Sequence, residues 1–201
     1  MINADLHIHT TYSGDATNQP KTIVEQLNAH PTIKVLAVTD HNTFEGCRKV
    51  QELASSYQDI LVIPGVEVSA VEGELILLGV TELPPKPWKA EDVIEFAKTN
   101  GGVTVAPHPY RGYGLGDLTR RLNVDAIEVL NGITYFDLNR RAEELAKTKG
   151  LPGVAGSDAH ENQELWTVCT QVQASLDVDA ILKAIKRGAV RTTLTLKSIH
   201  F

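Results

Sequence analysis

Short runs rich in Val, Ile and Leu alternate with longer amphipathic stretches along almost the whole chain. The β-like runs are NADLHIH (3–9), KVLAVTD (34–40), ILVIPGVEVSA (60–70), ELILLGV (74–80), GVTVAPH (102–108), VDAIEVLN (124–131), LPGVAGSD (151–158), TVCTQVQA (167–174) and AVRTTLTL (189–196). Several are apolar without strict alternation, as strands buried on both faces of a parallel sheet are. Helical patterns begin at Pro20, Thr43, Lys89, Tyr135 and Asp177. Pro20 suits a first helical position, Asp177 or Asp179 can cap, and Gly150 and Gly188 close the last two. Repeated strand–helix alternation predicts a parallel α/β fold, with LPPKPW (83–88) as a stiff surface loop.

The polar residues choose between an open sheet and a barrel. His9, Asp40, Glu67, His108 and Asp158 all stand at the carboxyl ends of successive predicted strands. A barrel gathers those ends into one pocket, whereas an open sheet spreads them along an edge. The expectation is a TIM-like barrel in a single compact domain spanning 1–201. In the first strand, alternation sends His7 and His9 to one side and Leu6 and Ile8 to the other.

Composition narrows the function. With 201 residues, 42% hydrophobic, the chain can bury one sizeable core. A formal net charge of -6 and the lack of a basic run argue against a stable nucleic-acid complex or adhesion to acidic membranes. No signal-like start and no stretch of ~18 apolar residues is present, so a soluble, cytoplasmic protein is expected. Cys47 and Cys169, the two cysteines, sit inside periodic segments and read as buried thiols, leaving nitrogen and oxygen to hold any metal.

Five of the seven histidines (His7, His9, His41, His108 and His160) fall at strand ends, with Asp15, Glu67, Glu128 and Asp158 among them. Imidazole with carboxylate suits zinc, manganese or iron, and the set exceeds the needs of one ion. Singly, each has a bland reading: Asp40 as a cap before Thr43, His108 as a core histidine, Asp158 as a turn residue.

The segments DLHIHTTYSGD, VTDHNTFEG, VIPGVEVSA, APHPYRG, IEVLNG and GSDAH, in this order, resemble the polymerase-and-histidinol-phosphatase (PHP) family of metal-dependent phosphoesterases. The resemblance implies a distorted (β/α)7 barrel with two or three divalent ions, Mn2+, Zn2+ or Fe2+, at its carboxyl face. By matching motif, His7, His9, Glu67 and Asp158 hold a first ion, Glu67 bridges to a second also bound by His108, and Asp15, His41 and His160 hold a third. Many members complete the second ion with a histidine from the following strand. Here the nearest candidate is Glu128, as ligand or as support behind one. Asp15 replaces a histidine found in some members, which favours manganese over zinc, and Asp40 is expected to orient His41 or a bound water.

The resulting expectation is hydrolysis of phosphate esters by a metal-activated hydroxide, with Asp158 or His160 protonating the leaving oxygen. Arg111 is placed either to fork onto the phosphate or as a solvated loop residue. No G-x-S-x-G elbow offers another nucleophile. Forty residues separate Glu67 from His108, and forty-nine separate His108 from Asp158, leaving little room for an inserted specificity domain. A small nucleotide-type phosphomonoester is expected. The alternatives are histidinol phosphate, the 5' end of a short oligonucleotide, or a non-catalytic metal-binding or regulatory module. An amidohydrolase-type enzyme shares the H-x-H strand but not T-D-H or S-D-A-H, and the chain lacks the central bridging Lys or Glu of that pattern.

Overall fold

Each apolar run in the sequence becomes a strand, and each amphipathic stretch a helix. The computed structural model describes residues 1–195, in the order β1 (Ile2–Ile8), α1 (Pro20–Ala29), β2 (Ile33–Val38), α2 (Glu45–Ala54), β3 (Leu61–Ile63), β4 (Gly65–Ser69), β5 (Glu74–Leu78), α3 (Ala90–Thr99), β6 (Val103–Ala106), β7 (Ala126–Asn131), α4 (Phe136–Lys149), β8 (Gly153–Gly156), β9 (Val168–Val172), α5 (Val178–Lys186) and β10 (Val190–Leu194). A 3-10 turn at Gly116–Arg120 leads into β7. Position 196 of the last predicted strand, and His200, lie outside the described residues.

The helix punctuation follows the sequence. Pro20 opens α1, the Asp177 carboxylate accepts the Ala180 N–H at the start of α5, and Gly150 takes a left-handed conformation (φ 65°) to end α4. One run behaves differently: residues 60–70 form two strands, because Pro64 has no N–H to donate to a ladder. At that break the chain passes from one sheet to another.

Two five-stranded sheets result, ordered β10-β9-β1-β2-β3 and β4-β5-β6-β7-β8. Pairs β1/β2, β2/β3, β6/β7 and β7/β8 are parallel, while β1/β9, β9/β10, β4/β5 and β5/β6 are antiparallel. The expected closed seven-unit barrel is therefore not what the ladders describe. Short or reversed strands interrupt it, and the sheets meet instead through isolated bridges, Ile8 to Ala159 and His41 to Glu67. Both seams lie at the carboxyl ends of the parallel strands, where the polar residues are.

Burial accounts for the layering. Ala4, Leu6, Val35, Ala37, Ile76, Leu78, Val105 and Val154 fill a core drawn from both sheets, to which α5 adds Ile181, Leu182 and Ile185. Helices α1 and α2 pack with the first sheet around Ile23, Leu27, Leu36 and Val50, and α3 and α4 with the second around Val93, Leu77 and Leu145. Leu6 and Ile8 do not share a cluster as alternation predicts, since the β1 register shifts between Asp5 and Ile8. No helix among the described residues is long and apolar enough to cross a membrane.

Candidate metal centre

The strand ends converge as the polar spacing requires. β1 brings His7, β4 brings Glu67, and the residues just after β1, β2, β6 and β8 bring His9, His41, His108 and Asp158 with His160. Nε2 of His7 and Nε2 of His9 lie 3.0 Å apart. Glu67 Oε2 is 3.4 Å from the first and 3.3 Å from the second, and Asp158 Oδ1 is 3.3 Å and 3.2 Å away. Donors about 2.0–2.2 Å from one tetrahedral cation stand about 3.3–3.6 Å from each other. Asp158 Oδ1 is buried without a hydrogen-bond partner, as an atom reserved for a cation would be. His7, His9 and Glu67 form one group able to hold a divalent metal, and His7, His108 and Asp158 form another that shares His7.

Further donors adjoin this set. Glu67 turns its other oxygen, Oε1, to His108 Nε2 at 3.2 Å. Asp15 Oδ2 lies 3.3 Å from His41 Nε2 and 3.4 Å from His160 Nε2, and His9 completes that group. Eight residues expected from the sequence thus surround one pocket.

The rings are aimed by partners behind them. Glu128 Oε1 accepts from His7 Nδ1 at 3.0 Å, Ser13 Oγ pairs with His9 Nδ1 at 3.0 Å, and the Asp158 carbonyl accepts from His160 Nδ1 at 2.8 Å. The carboxylate and the carbonyl place the ring hydrogens of His7 and His160 on Nδ1, and all three rings turn Nε2 to the pocket. Glu128 has its second oxygen on the His108 N–H and the Asn131 amide, both at 2.9 Å, so it stands behind His7 and not beside a second ion.

Burial by itself would push the His7 and His9 imidazoles down, but Asp158 and Glu67 outweigh it. His7 is held well above the ordinary histidine value, and His9 is raised to about 9. Burial would likewise raise Glu67 and Asp158, yet the histidines hold both carboxyls well below the usual range. The cluster attracts positive charge, whether protons or cations occupy it.

Local backbone is constrained here. His108 (φ 25°), Asp158 (φ 54°) and Asn42 (φ 58°), the neighbour of His41, are three of the four non-glycine residues with positive φ among the described residues. Such conformations persist where the surroundings over-determine them. Gly156 has no room for a side chain, because an added Cβ would collide with His7 and approach Glu128 Oε1 to 2.9 Å.

Two expected residues take more specific places. Asp40 makes its bonds away from His41, accepting from the Thr10 N–H at 2.6 Å and the Thr10 hydroxyl at 2.7 Å. It pins the loop that carries Ser13 and Asp15. Arg111 is folded into the pocket, with Nη2 on Asp158 Oδ2 and Nη1 on Asn131 Oδ1 (3.1 Å) and Thr134 Oγ1 (3.2 Å).

Sequence reasoning missed Glu74, Ser13 and Asn131. Glu74 opens β5, and because β5 runs antiparallel to β4, its first residue lies where β4 ends. The available signal was a carboxylate heading the otherwise apolar run ELILL.

Comparisons with known proteins identify the family. Residues 5–108 match the PHP domain family, and residues 137–190 match the PHP-associated family. An uncharacterized protein of Methanocaldococcus jannaschii, MJ1587, is 37% identical over 162 residues, covering 72% of this chain and 94% of that protein. A second from that organism, MJ0417, is 28% identical over 79% of this chain, which spans 65% of its length. Among solved structures, PsfC from Pseudomonas syringae superposes with a TM-score of 0.74 at 19% identity, covering 98% of this chain and 93% of PsfC. A Bifidobacterium adolescentis protein provisionally named a metal-dependent phosphoesterase gives 0.62 at 19% identity, over 78% of this chain and 87% of its own. An amidohydrolase from Chromobacterium violaceum, solved with sulfate and no metal, gives 0.65 at 20% identity, over 80% and 88%. At these identities the structures speak for the fold.

Proposed function

Because the chain belongs to the PHP domain family, we propose that it is a metal-dependent phosphoesterase acting on small phosphate esters, with nucleotide-type phosphomonoesters as the preferred class. The observation that carries the reading is the way Glu67 and Asp158 divide their oxygens. Glu67 Oε2 and Asp158 Oδ1 face His7 and His9, while Glu67 Oε1 faces His108 and Asp158 Oδ2 faces Arg111. Adjacent donor sets joined by shared carboxylates are the arrangement that in-line displacement at phosphorus calls for.

His7, His9, Glu67 and Asp158 would hold a first ion, Glu67 and His108 a second, and Asp15, His41 and His160 a third. Bound divalent ions would supply Lewis acidity, neutralising the ester's charge and making water a nucleophile near neutral pH. The remaining work falls to side chains. Arg111, already steered by Asn131 and Thr134, turns its guanidinium to the non-bridging oxygens of the phosphoryl group. Asp158 stays ionised, being held well below the ordinary carboxyl range. His160, when it is not engaged as a ligand of the third ion, is the residue left to deliver a proton to the leaving oxygen.

A chamber of about 520 Å³ opens beside His41 and Glu74, between the Ser69–Glu74 turn and Gly112–Gly114. Its size falls in the range of roughly 300–1,000 Å³ common for small-molecule sites, and exposed Tyr113 offers a flat face to a leaving group. Phosphate release from mononucleotides, nucleoside bisphosphates, histidinol phosphate and sugar phosphates, with manganese and with chelator, tests the reading. Chelator-sensitive turnover is expected. Bound metal with no turnover of any ester would instead support a binding or regulatory module.

A further inference from the structure

Glu74 is the acidic residue of the pocket for which the roles above leave no use. It opens β5 beside Ser69 in the antiparallel β4/β5 pair, and its own N–H donates to the Tyr113 carbonyl at 2.9 Å. Its side chain is only 9% exposed. Among the described residues its oxygens lie 3.7 Å from His108 Nε2 and 3.8 Å from His41 Nδ1, too far for hydrogen bonds. Both are separations that two ligands of one cation adopt. Glu67 shares a group with Glu74 and His41 whose ligand atoms all lie within 4.8 Å of one another. Neither oxygen has a protein hydrogen-bond donor among the described residues, and a second carboxylate lies close by, an arrangement that a cation between them would relieve.

The geometry points to Glu74 as a ligand of the second cation, with Glu67 Oε1 and His108 Nε2, so that this position is richer in oxygen than the first. The first set offers two imidazole nitrogens and two carboxylate oxygens, a donor mix that suits zinc. The second offers two carboxylates and one imidazole, a harder mix that shifts preference toward manganese. Glu74 Oε1 faces His41, so the residue is also placed to share its charge with the third set, as Glu67 does with the first. The chain thereby distinguishes its cation positions by softness. This inference rests on the reading of the cluster as a metal site, but not on any substrate.

The test strips the full chain with chelator, confirms folding by circular dichroism, and counts ions by mass spectrometry after dialysis against manganese, zinc or both. Glu74→Gln is expected to lose one manganese equivalent and keep the ion held by His7, His9, Glu67 and Asp158. Glu74→His is expected to keep the ion count while its manganese-to-zinc ratio falls roughly tenfold in competition. Should Glu74→Gln fail to fold, Glu74→Asp, which keeps the charge but shortens the reach, is expected to weaken manganese binding at one position. Unchanged manganese stoichiometry and affinity in a folded Glu74→Gln or Glu74→Asp overturns the assignment. Metal counts as expected with no ester turnover would refute the phosphoesterase reading and leave this one standing.

Discussion

Arg111 and Asp158 are bonded across the pocket, guanidinium Nη2 to carboxylate Oδ2, while the other oxygen of Asp158 faces His7 and His9. One carboxylate thus ties the Arg111 guanidinium to the candidate metal donors. Removing Arg111 deletes a charge-assisted contact worth about 1.5–3 kcal/mol. Arg111→Ala is expected to raise KM between roughly tenfold and a hundredfold, with a smaller loss in kcat. Steady-state kinetics decide it, and a fall in kcat at constant KM would reassign Arg111 to the transition state alone.

His9→Ala is expected to lose metal and activity together, because the Nε2 atoms of His7 and His9 stand 3.0 Å apart in one donor set. Glu128→Gln keeps the ligands but weakens the acceptor behind His7 Nδ1. Losses of such supporting partners cost roughly 10- to 100-fold in metal affinity. Isothermal titration with manganese reads both. A His9→Ala protein with full metal content and full activity would sink the donor assignment.

The pH dependence of the metal-free protein has a definite sign. His9 is raised to about 9 and His7 is raised well above its ordinary 6.5, so their stabilising contribution is complete below 6.5 and is lost as pH rises through about 9. Asp5 and Glu74, raised to about 7 chiefly by burial, act in the same direction, favouring the folded state where they hold protons. Chelated protein is therefore expected to melt progressively lower from pH 7 to 9, and manganese to offset the loss. Manganese binding should release protons, tightening as pH rises. Melting curves with and without chelator, across that range, check it, and a nearly flat profile for the chelated protein would show that the histidines are neutral in the fold.

Asp40 serves the site through the chain that follows β1. Its carboxylate accepts both the Thr10 N–H and the Thr10 hydroxyl, and an added Cβ on Gly46 would collide with it. Asp40→Ala is expected to cost about 2–3 kcal/mol of stability, measured by urea unfolding. A loss in activity with unchanged stability and metal content would give Asp40 a direct part in the chemistry.

Both thiols are inert by position. Burial pushes Cys47 and Cys169 up to about 11, and both are free. At pH 8 the folded protein is expected to resist iodoacetamide, while the guanidinium-unfolded chain takes up two labels. Rapid labelling of the folded chain would show that these segments open readily.

The sequence by itself determined the elements and most of the candidate donors. The five helices begin within two residues of their predicted starts, and the nine apolar runs become strands. Both features rest on local periodicity and capping, which need no knowledge of distant chain. His7, His9, Glu67, His108 and Asp158 were legible because a strand end is itself a local feature. Tertiary structure decided the rest. Whether Glu128 or Glu74 faces His108 depends on β5 running antiparallel to β4, and strand direction is set by pairing partners that no local pattern names. Asp40 bonds Thr10, thirty residues away, and Arg111 reaches Asp158, forty-seven away. Which polar groups meet across such distances follows from how two sheets pack, because buried hydrogen bonds and charges are satisfied only after the chain has closed around them.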